Sequence, residues 1–313
     1  MHQEEKKKVG EMRILLISFL TLLLVAATFA RNGIYKEDVR LWQDVVAKSP
    51  SKVRPRYQLG RYYEREERMY EAMMEYEAAL RLPPDYISWL AHNNLGNIYG
   101  KLGRYDEAIR EFQAVIADDF SDSFAHTNLG IIYAKQGRVS EALRELETAV
   151  QIDPNDASAH YNLGNAYQEQ GRLDEAIREY RAAILLRSDY AEARNNLGLL
   201  YGKRGSFAEA IREFQEVIKS HPESAEAYNN LGIVFAKQGR YDEAIRAFQQ
   251  ALVHGPESAE VHKNIGLVYD NQGRFEDAIR EFQAALRIDP GHASARYHRE
   301  NTSKKLQNHH SIK

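Results

Sequence analysis

From Val53 to His292 the chain alternates two apolar stripes, each at helical spacing, with a short polar break between them. Residues 123–156 show one copy of the pattern. Phe124, Leu129, Ile132 and Tyr133 share a helical face, Gly137-Arg138 interrupts it, and Val139, Ala142, Leu143, Leu146, Ala149 and Val150 form a second face before Pro154. The spacing predicts two antiparallel helices of about 13 residues joined by a tight turn. The copy recurs: a Leu-Gly or Ile-Gly pair ends at Gly60, Gly96, Gly130, Gly164, Gly198, Gly232 and Gly266, 36 residues apart once and 34 thereafter. Three residues after each glycine stands an aromatic (Tyr63, Tyr99, Tyr133, Tyr167, Tyr201, Phe235, Tyr269). Twelve residues after it stands an alanine (Ala72, Ala108, Ala142, Ala176, Ala210, Ala244, Ala278). One such hairpin cannot bury its own apolar face, so a fixed period predicts hairpins stacked on their neighbours.

Glycine inside a helix costs about 1 kcal/mol relative to alanine. Seven at one structural position therefore need a reason, and close approach of the partner helix supplies one. On this reading Ala142 and Ala176 serve the same contact from the second helix, while Tyr133 and Leu146 fill the space between units.

Further positions sharpen the pattern. Tyr76, Phe112, Tyr180, Phe214, Phe248 and Phe282 repeat an aromatic in the second helix, with Leu146 the departure. Pro84, Pro154, Pro222, Pro256 and Pro290 close units, with Phe120 and Ser188 in their place in two others. These residues closely resemble the tetratricopeptide repeat of the superhelical type, over about three quarters of the chain. The resemblance implies an all-α fold, a right-handed α-solenoid of seven helix hairpins at 53–88, 89–122, 123–156, 157–190, 191–224, 225–258 and 259–292.

The ends carry separate information. Ile14 to Ala30 is 17 residues without a charge, about 25 Å as a helix and near the lower limit for crossing a bilayer. The expectation is one N-terminal membrane helix at 14–30 behind a basic, cytoplasmic segment at 1–13. A cleaved signal peptide, cut near Thr28 or Ala30, is the competing reading. Lys6, Lys7, Lys8 and Arg13 precede the run and Arg31, Lys36 and Arg40 follow it, which favours repeats outside the cytoplasm, in the periplasm or a lumen. In repeat register, Tyr35, Trp42, Val45 and Pro50 match Tyr105, Phe112, Val115 and the closing prolines, so 35–50 reads as an orphan second helix that caps the stack. Residues 293–307 read as a polar terminal cap and 308–313 as a disordered tail. The stretch from Val39 to Pro55, directly after an apolar run, also resembles a junction in the transmembrane-and-tetratricopeptide-repeat membrane proteins, which are similar to mannosyltransferases. That resemblance implies topology alone, because the family's catalytic membrane part has no counterpart here.

Lys and Arg number 42 against 45 Asp and Glu, a formal charge of −3, so no basic excess favours nucleic acid. The chain has no cysteine, which excludes disulfides, thiolate metal sites and cysteine nucleophiles. Gly96-Asn-Ile-Tyr-Gly100-Lys101 has the wrong spacing for a phosphate loop and sits in a repeat helix. His92, His126, His160 and His262 share one repeat position, where units about 10 Å apart cannot share an ion at about 2 Å ligand distances; packing at the seam between repeats is expected. No enzyme and no cofactor are expected.

The sharper signal is a column of asparagines two residues before the glycines: Asn94, Asn128, Asn162, Asn196, Asn230 and Asn264. In the resembling superhelical repeats this position faces the concave groove, and an amide offers both donors and an acceptor to a peptide main chain. Asn97 and Asn165 should face the same groove. Alternatively, the amides brace neighbouring helices. Lys101, Lys135, Lys203 and Lys237 follow beside the column, with Arg65 before them, and would favour acidic segments, although cations at a helix end also suit its dipole. The function expected is a membrane-tethered, non-catalytic scaffold that holds a partner protein or extended peptide. The alternative is a regulatory or assembly subunit of a glycosylation or polysaccharide-export membrane enzyme.

Overall fold

A computed structural model describes residues 39–119 and 121–312, with side chains through 309. The expected membrane helix at 14–30 and the basic segment before it lie outside the described residues. Among those described, no helix is long and apolar enough to cross a membrane, and all regular structure is helical.

Helix α1 is Val39–Lys48. Seven hairpins follow: α2 Val53–Arg65 and α3 Met69–Leu80, α4 Ser88–Lys101 and α5 Tyr105–Asp118, α6 Ser123–Lys135 and α7 Val139–Ile152, α8 Ala157–Glu169 and α9 Leu173–Leu186, α10 Ala191–Arg204 and α11 Phe207–Ser220, α12 Ala225–Lys237 and α13 Tyr241–His254, α14 Ala259–Asn271 and α15 Phe275–Ile288. Helix α16, Ala293–Ile312, ends the series. The chain divides into two compact units, Met1–Ile132 and Tyr133–Lys313.

The glycine position has a different partner from the one its spacing suggests. A Cβ on Gly198 would lie 2.7 Å from Phe214 Cε1, and one on Gly164 2.7 Å from Tyr180 Cε1. The same holds for Gly60 against Tyr76, Gly96 against Phe112, Gly232 against Phe248 and Gly266 against Phe282. At these six positions the close approach is therefore made by the aromatic ring sixteen residues on, and at Gly164 not by Ala176 as the spacing alone suggested. Those rings are fully buried; each contributes about 2–3 kcal/mol of apolar burial. A six-membered ring can lie flat on a helix only where no side chain stands under it.

The turn inside each hairpin is a second repeated device. Gly171 adopts φ +75°, a left-handed conformation that costs other residues about 1–2 kcal/mol. The next residue, Arg172, donates its backbone N–H to the Tyr167 carbonyl at 2.9 Å. Its guanidinium lies 4.3 Å over the Tyr167 ring and pairs with Glu175 at 3.0 Å. Arg68, Arg104, Arg138, Arg240 and Arg274 repeat the stacking. Ser206 breaks the rule in the fifth repeat, where only the backbone bond to the Tyr201 carbonyl persists, at 2.9 Å.

Neighbouring repeats are stitched by the aromatic of the first helix. In the first unit Tyr99 donates its hydroxyl to Glu77 at 2.8 Å. In the second unit Tyr167 donates to Glu147 at 2.7 Å, and Arg181 donates to the Tyr201 oxygen at 2.8 Å. Gln43 of α1 donates to the Tyr63 oxygen at 3.0 Å in the same register, so α1 sits on α2 as the second helix of a repeat sits on its successor. At the other end, α16 runs to Ile312 and not into a disordered tail from Asn308. Ala293 to Ile312 contains no glycine or proline to stop the helix, and His309 meets Phe275 edge-on at 6.2 Å between ring centres.

Candidate functional site

The asparagine column lies on the first helix of the second to seventh repeats, two residues before the seam glycine. What each amide donates to depends on the residue sixteen to eighteen positions earlier. Where that residue is tyrosine, its hydroxyl is the partner: Asn94 Nδ2 donates to the Tyr76 oxygen at 3.1 Å, and Asn196 Nδ2 to the Tyr180 oxygen at 3.4 Å. Asn196 also donates to Asn165 Oδ1 at 3.0 Å, an oxygen that accepts the Tyr180 hydroxyl at 2.7 Å. Where it is phenylalanine, no hydroxyl is offered. Behind Phe112 and Phe214, the Nδ2 atoms of Asn128 and Asn230 are buried without a partner; behind Phe248, Asn264 reaches Asn229 Oδ1 at 3.2 Å. Behind Leu146, Asn162 turns back to its own helix and donates to the Ser158 carbonyl at 2.8 Å.

The other end of the amide behaves uniformly. In all six asparagines Oδ1 accepts no hydrogen bond from any described residue. Asn97 makes none at all among the described residues. Within the first unit this leaves acceptors at Asn94, Asn97 and Asn128; within the second, at Asn162, Asn196, Asn230 and Asn264. Asn165, by contrast, is engaged. Burial, foremost, raises the pKa of the Tyr76 and Tyr180 hydroxyls well above the usual phenol value, so both stay neutral at any physiological pH.

The lysines are exposed. Lys101 lies 4.0 Å from Glu64, while Lys135, Lys203 and Lys237 meet no carboxylate within ion-pair distance among the described residues. His92, His160 and His262 each place Nδ1 2.7 Å from a glutamate nineteen residues on, Glu111, Glu179 and Glu281, within one hairpin. Arg194 and Glu213 make the same link at 2.7 Å in the fifth repeat. These pairs thus bridge the two helices of a hairpin, and not the seam between repeats that the spacing suggested. No group of metal-ligating side chains occurs among the described residues.

Two features escaped the reading of the sequence. Gln58 holds the column position in the first repeat. The choice of tyrosine, phenylalanine or leucine at the second-helix position, visible in the sequence, decides which column amides meet a hydroxyl.

Stacked helix hairpins with a glycine under an aromatic define an α-helical repeat protein. Sequence profiles described as tetratricopeptide repeat or TPR repeat match residues 53–86, 96–137, 132–171, 164–205, 195–253 and 232–293. The chain belongs to the tetratricopeptide-repeat family. It is similar in fold to a tetratricopeptide repeat protein from Parabacteroides merdae (TM-score 0.60, 18% identity, covering 80% of this chain and 98% of that one). It is similar also to Pseudomonas aeruginosa pilF (0.60, 19%, 68% and 97%). YrrB, described as a TPR protein with an unusual peptide-binding site, aligns at TM-score 0.52 and 23% identity, over 60% of this chain and 97% of that one. No curated protein matches the chain. The fold is that of a protein–protein interaction scaffold, a class that is generally non-catalytic.

Proposed function

We propose that this protein is a membrane-tethered scaffold that holds an extended segment of a partner protein on the column asparagines within a unit. The observation that carries the reading is the set of six Oδ1 atoms, at one repeat position, that accept no hydrogen bond from the described chain. A strand-like peptide presents main-chain N–H groups that need acceptors, and a column of carbonyl oxygens meets that need whatever the peptide's side chains. Lys135, Lys203 and Lys237 add positive charge beside it. Tethering is supported by the uncharged run at 14–30, and the excess of Lys and Arg before that run favours repeats outside the cytoplasm.

Selection of twelve-residue peptides by display against the full chain provides the probe. Replacing Asn128, Asn162 and Asn230 together with alanine should weaken a selected peptide at least about tenfold, since lost hydrogen bonds of about 1 kcal/mol each accumulate. The melting temperature should hardly move, because none of the three amides bonds another helix. Binding that survives the triple replacement would remove the column from the function. Protease digestion of a C-terminal tag in sealed cells addresses the tether: attack from outside, with Met1 to Ala30 retained, is expected.

A further inference from the structure

A solvent-open cavity of about 530 Å³ lies in the first unit, lined from three helices. Helix α1 contributes Trp42, α2 contributes Arg61, Tyr62 and Arg65, and α4 contributes Lys101. Among the described residues the one carboxylate in the wall, Glu64, is committed: its Oε2 accepts the Tyr76 hydroxyl at 3.0 Å, and Lys101 lies 4.0 Å from its Oε1. The arginines are held by rings rather than by acids. Arg61 lies 6.0 Å over Tyr57 and Arg65 5.4 Å over Tyr62. Arg61 has no carboxylate within ion-pair distance among the described residues, and Arg65 has only Glu66, at 3.8 Å. Among the described residues, three cations against one engaged anion give the cavity wall a net charge of +2, with two half-buried aromatics beside them.

We propose that this cavity binds a short run of Asp or Glu side chains in a partner peptide. It deepens the peptide-groove reading, on which it rests, by giving the partner a chemistry. Arg61 and Arg65 stand one helical turn apart, about 6 Å along α2, and Lys101 comes from another helix, so the cations are spread too widely for one carboxylate to meet them all. Planar guanidinium groups bind carboxylates through two parallel hydrogen bonds. Trp42 and Tyr62 offer apolar faces to the aliphatic parts of the peptide. Gln58 also lines the cavity, at the column position of the first repeat, so a main-chain amide contact continues into the acidic site. A concave, three-walled cavity suits a chain segment better than a flat layer of lipid headgroups.

Trp42 gives the readout, since Trp89 is the one other tryptophan and Trp89→Phe silences it. The full chain in detergent micelles is titrated with acetylated, amidated hexaglutamate, following tryptophan emission. A saturable change is expected, weakened about tenfold by Arg61→Gln with Arg65→Gln and weakened further as salt is raised. Amidated hexaglutamine should give no change. Hexaglycine with a free C-terminus should bind far more weakly than hexaglutamate. Equal binding of hexaglutamine, or equal affinity for the double variant, would overturn the assignment. So would a response to phosphatidylserine nanodiscs with none to hexaglutamate, which would make the cavity a headgroup site. Both arginines are exposed, and unchanged helicity of the double variant confirms that folding is intact. If a display-selected peptide still needs Asn128, Asn162 and Asn230 while hexaglutamate does not bind, the acidic cavity fails and the groove stands. If the selected peptide also ignores those asparagines, the groove reading itself has failed.

Discussion

The glycine seam and the asparagine column sit two residues apart on the same helices, yet they obey different rules. Six seam glycines, Gly60, Gly96, Gly164, Gly198, Gly232 and Gly266, meet the same neighbour in the same way, an aromatic ring within 2.6–2.8 Å of where a Cβ would stand. The column has one residue type at six positions and four arrangements: tied to a tyrosine hydroxyl, tied to another asparagine, turned back on its own helix, or left with a sealed, unpartnered Nδ2. Packing tolerates no variation because a filled void leaves no alternative position for a ring. A polar contact can change partner and still leave a helix in place. The difference teaches that the seam encodes the hairpin, while the column is free to carry something other than stability.

The largest effect should come from filling the seam. Gly198→Val places branched carbons where Phe214, fully buried, already lies, and should cost about 3 kcal/mol in chemical denaturation. A smaller loss would mean that the ring moves aside. Next comes the contrast within the column. Asn196→Ala removes bonds to Asn165 and Tyr180 and should cost about 1 kcal/mol, whereas Asn230→Ala removes an amide whose Nδ2 has no partner and should be neutral or mildly stabilising. Equal costs at both positions would erase the distinction between tied and untied rungs. Phe214→Tyr should then convert the second kind into the first: its hydroxyl falls where that of Tyr180 falls relative to Asn196, and a gain of up to about 1 kcal/mol is expected.

The smallest effect is a pH dependence in the bridges between paired helices. Glu179, hydrogen-bonded to His160 Nδ1, raises the histidine's pKa; burial opposes the rise, and the Pro154 carbonyl near Nε2 adds to it. A folded pKa above the unfolded value means that the protonated pair stabilises the fold fully below about pH 6.5 and that this contribution fades as pH rises through the folded value. Comparing melting temperatures on either side of that range, His160→Gln should flatten the fall seen in the parent chain toward alkaline pH. An unchanged slope would show the pair to be inert.

Much of the fold is legible in the residues themselves. The period, the helix pairs, the turn glycines and the register of α1 all follow from apolar spacing and from residues that admit few conformations. The partner of the seam glycine was harder to see, because alanine at twelve residues and an aromatic at sixteen both recur, and spacing cannot say which one touches. The run of α16 to Ile312 was hidden by a polar composition that resembles a loose tail although nothing in it breaks a helix. In the site, asparagine identity pointed to the column, but not to which amides meet a hydroxyl; that rests on tyrosine in the preceding repeat. The cavity beside Trp42 joins residues as distant as Trp42 and Lys101, and no local pattern announces it.

A structure of the full chain bound to a display-selected peptide would decide the matter. The account predicts an extended peptide whose main-chain N–H groups lie about 2.9 Å from the Oδ1 atoms of Asn162, Asn196 and Asn230, with the seam glycines and their rings unmoved. A peptide seated on the outer faces of the second helices, with those oxygens still unengaged, would contradict it.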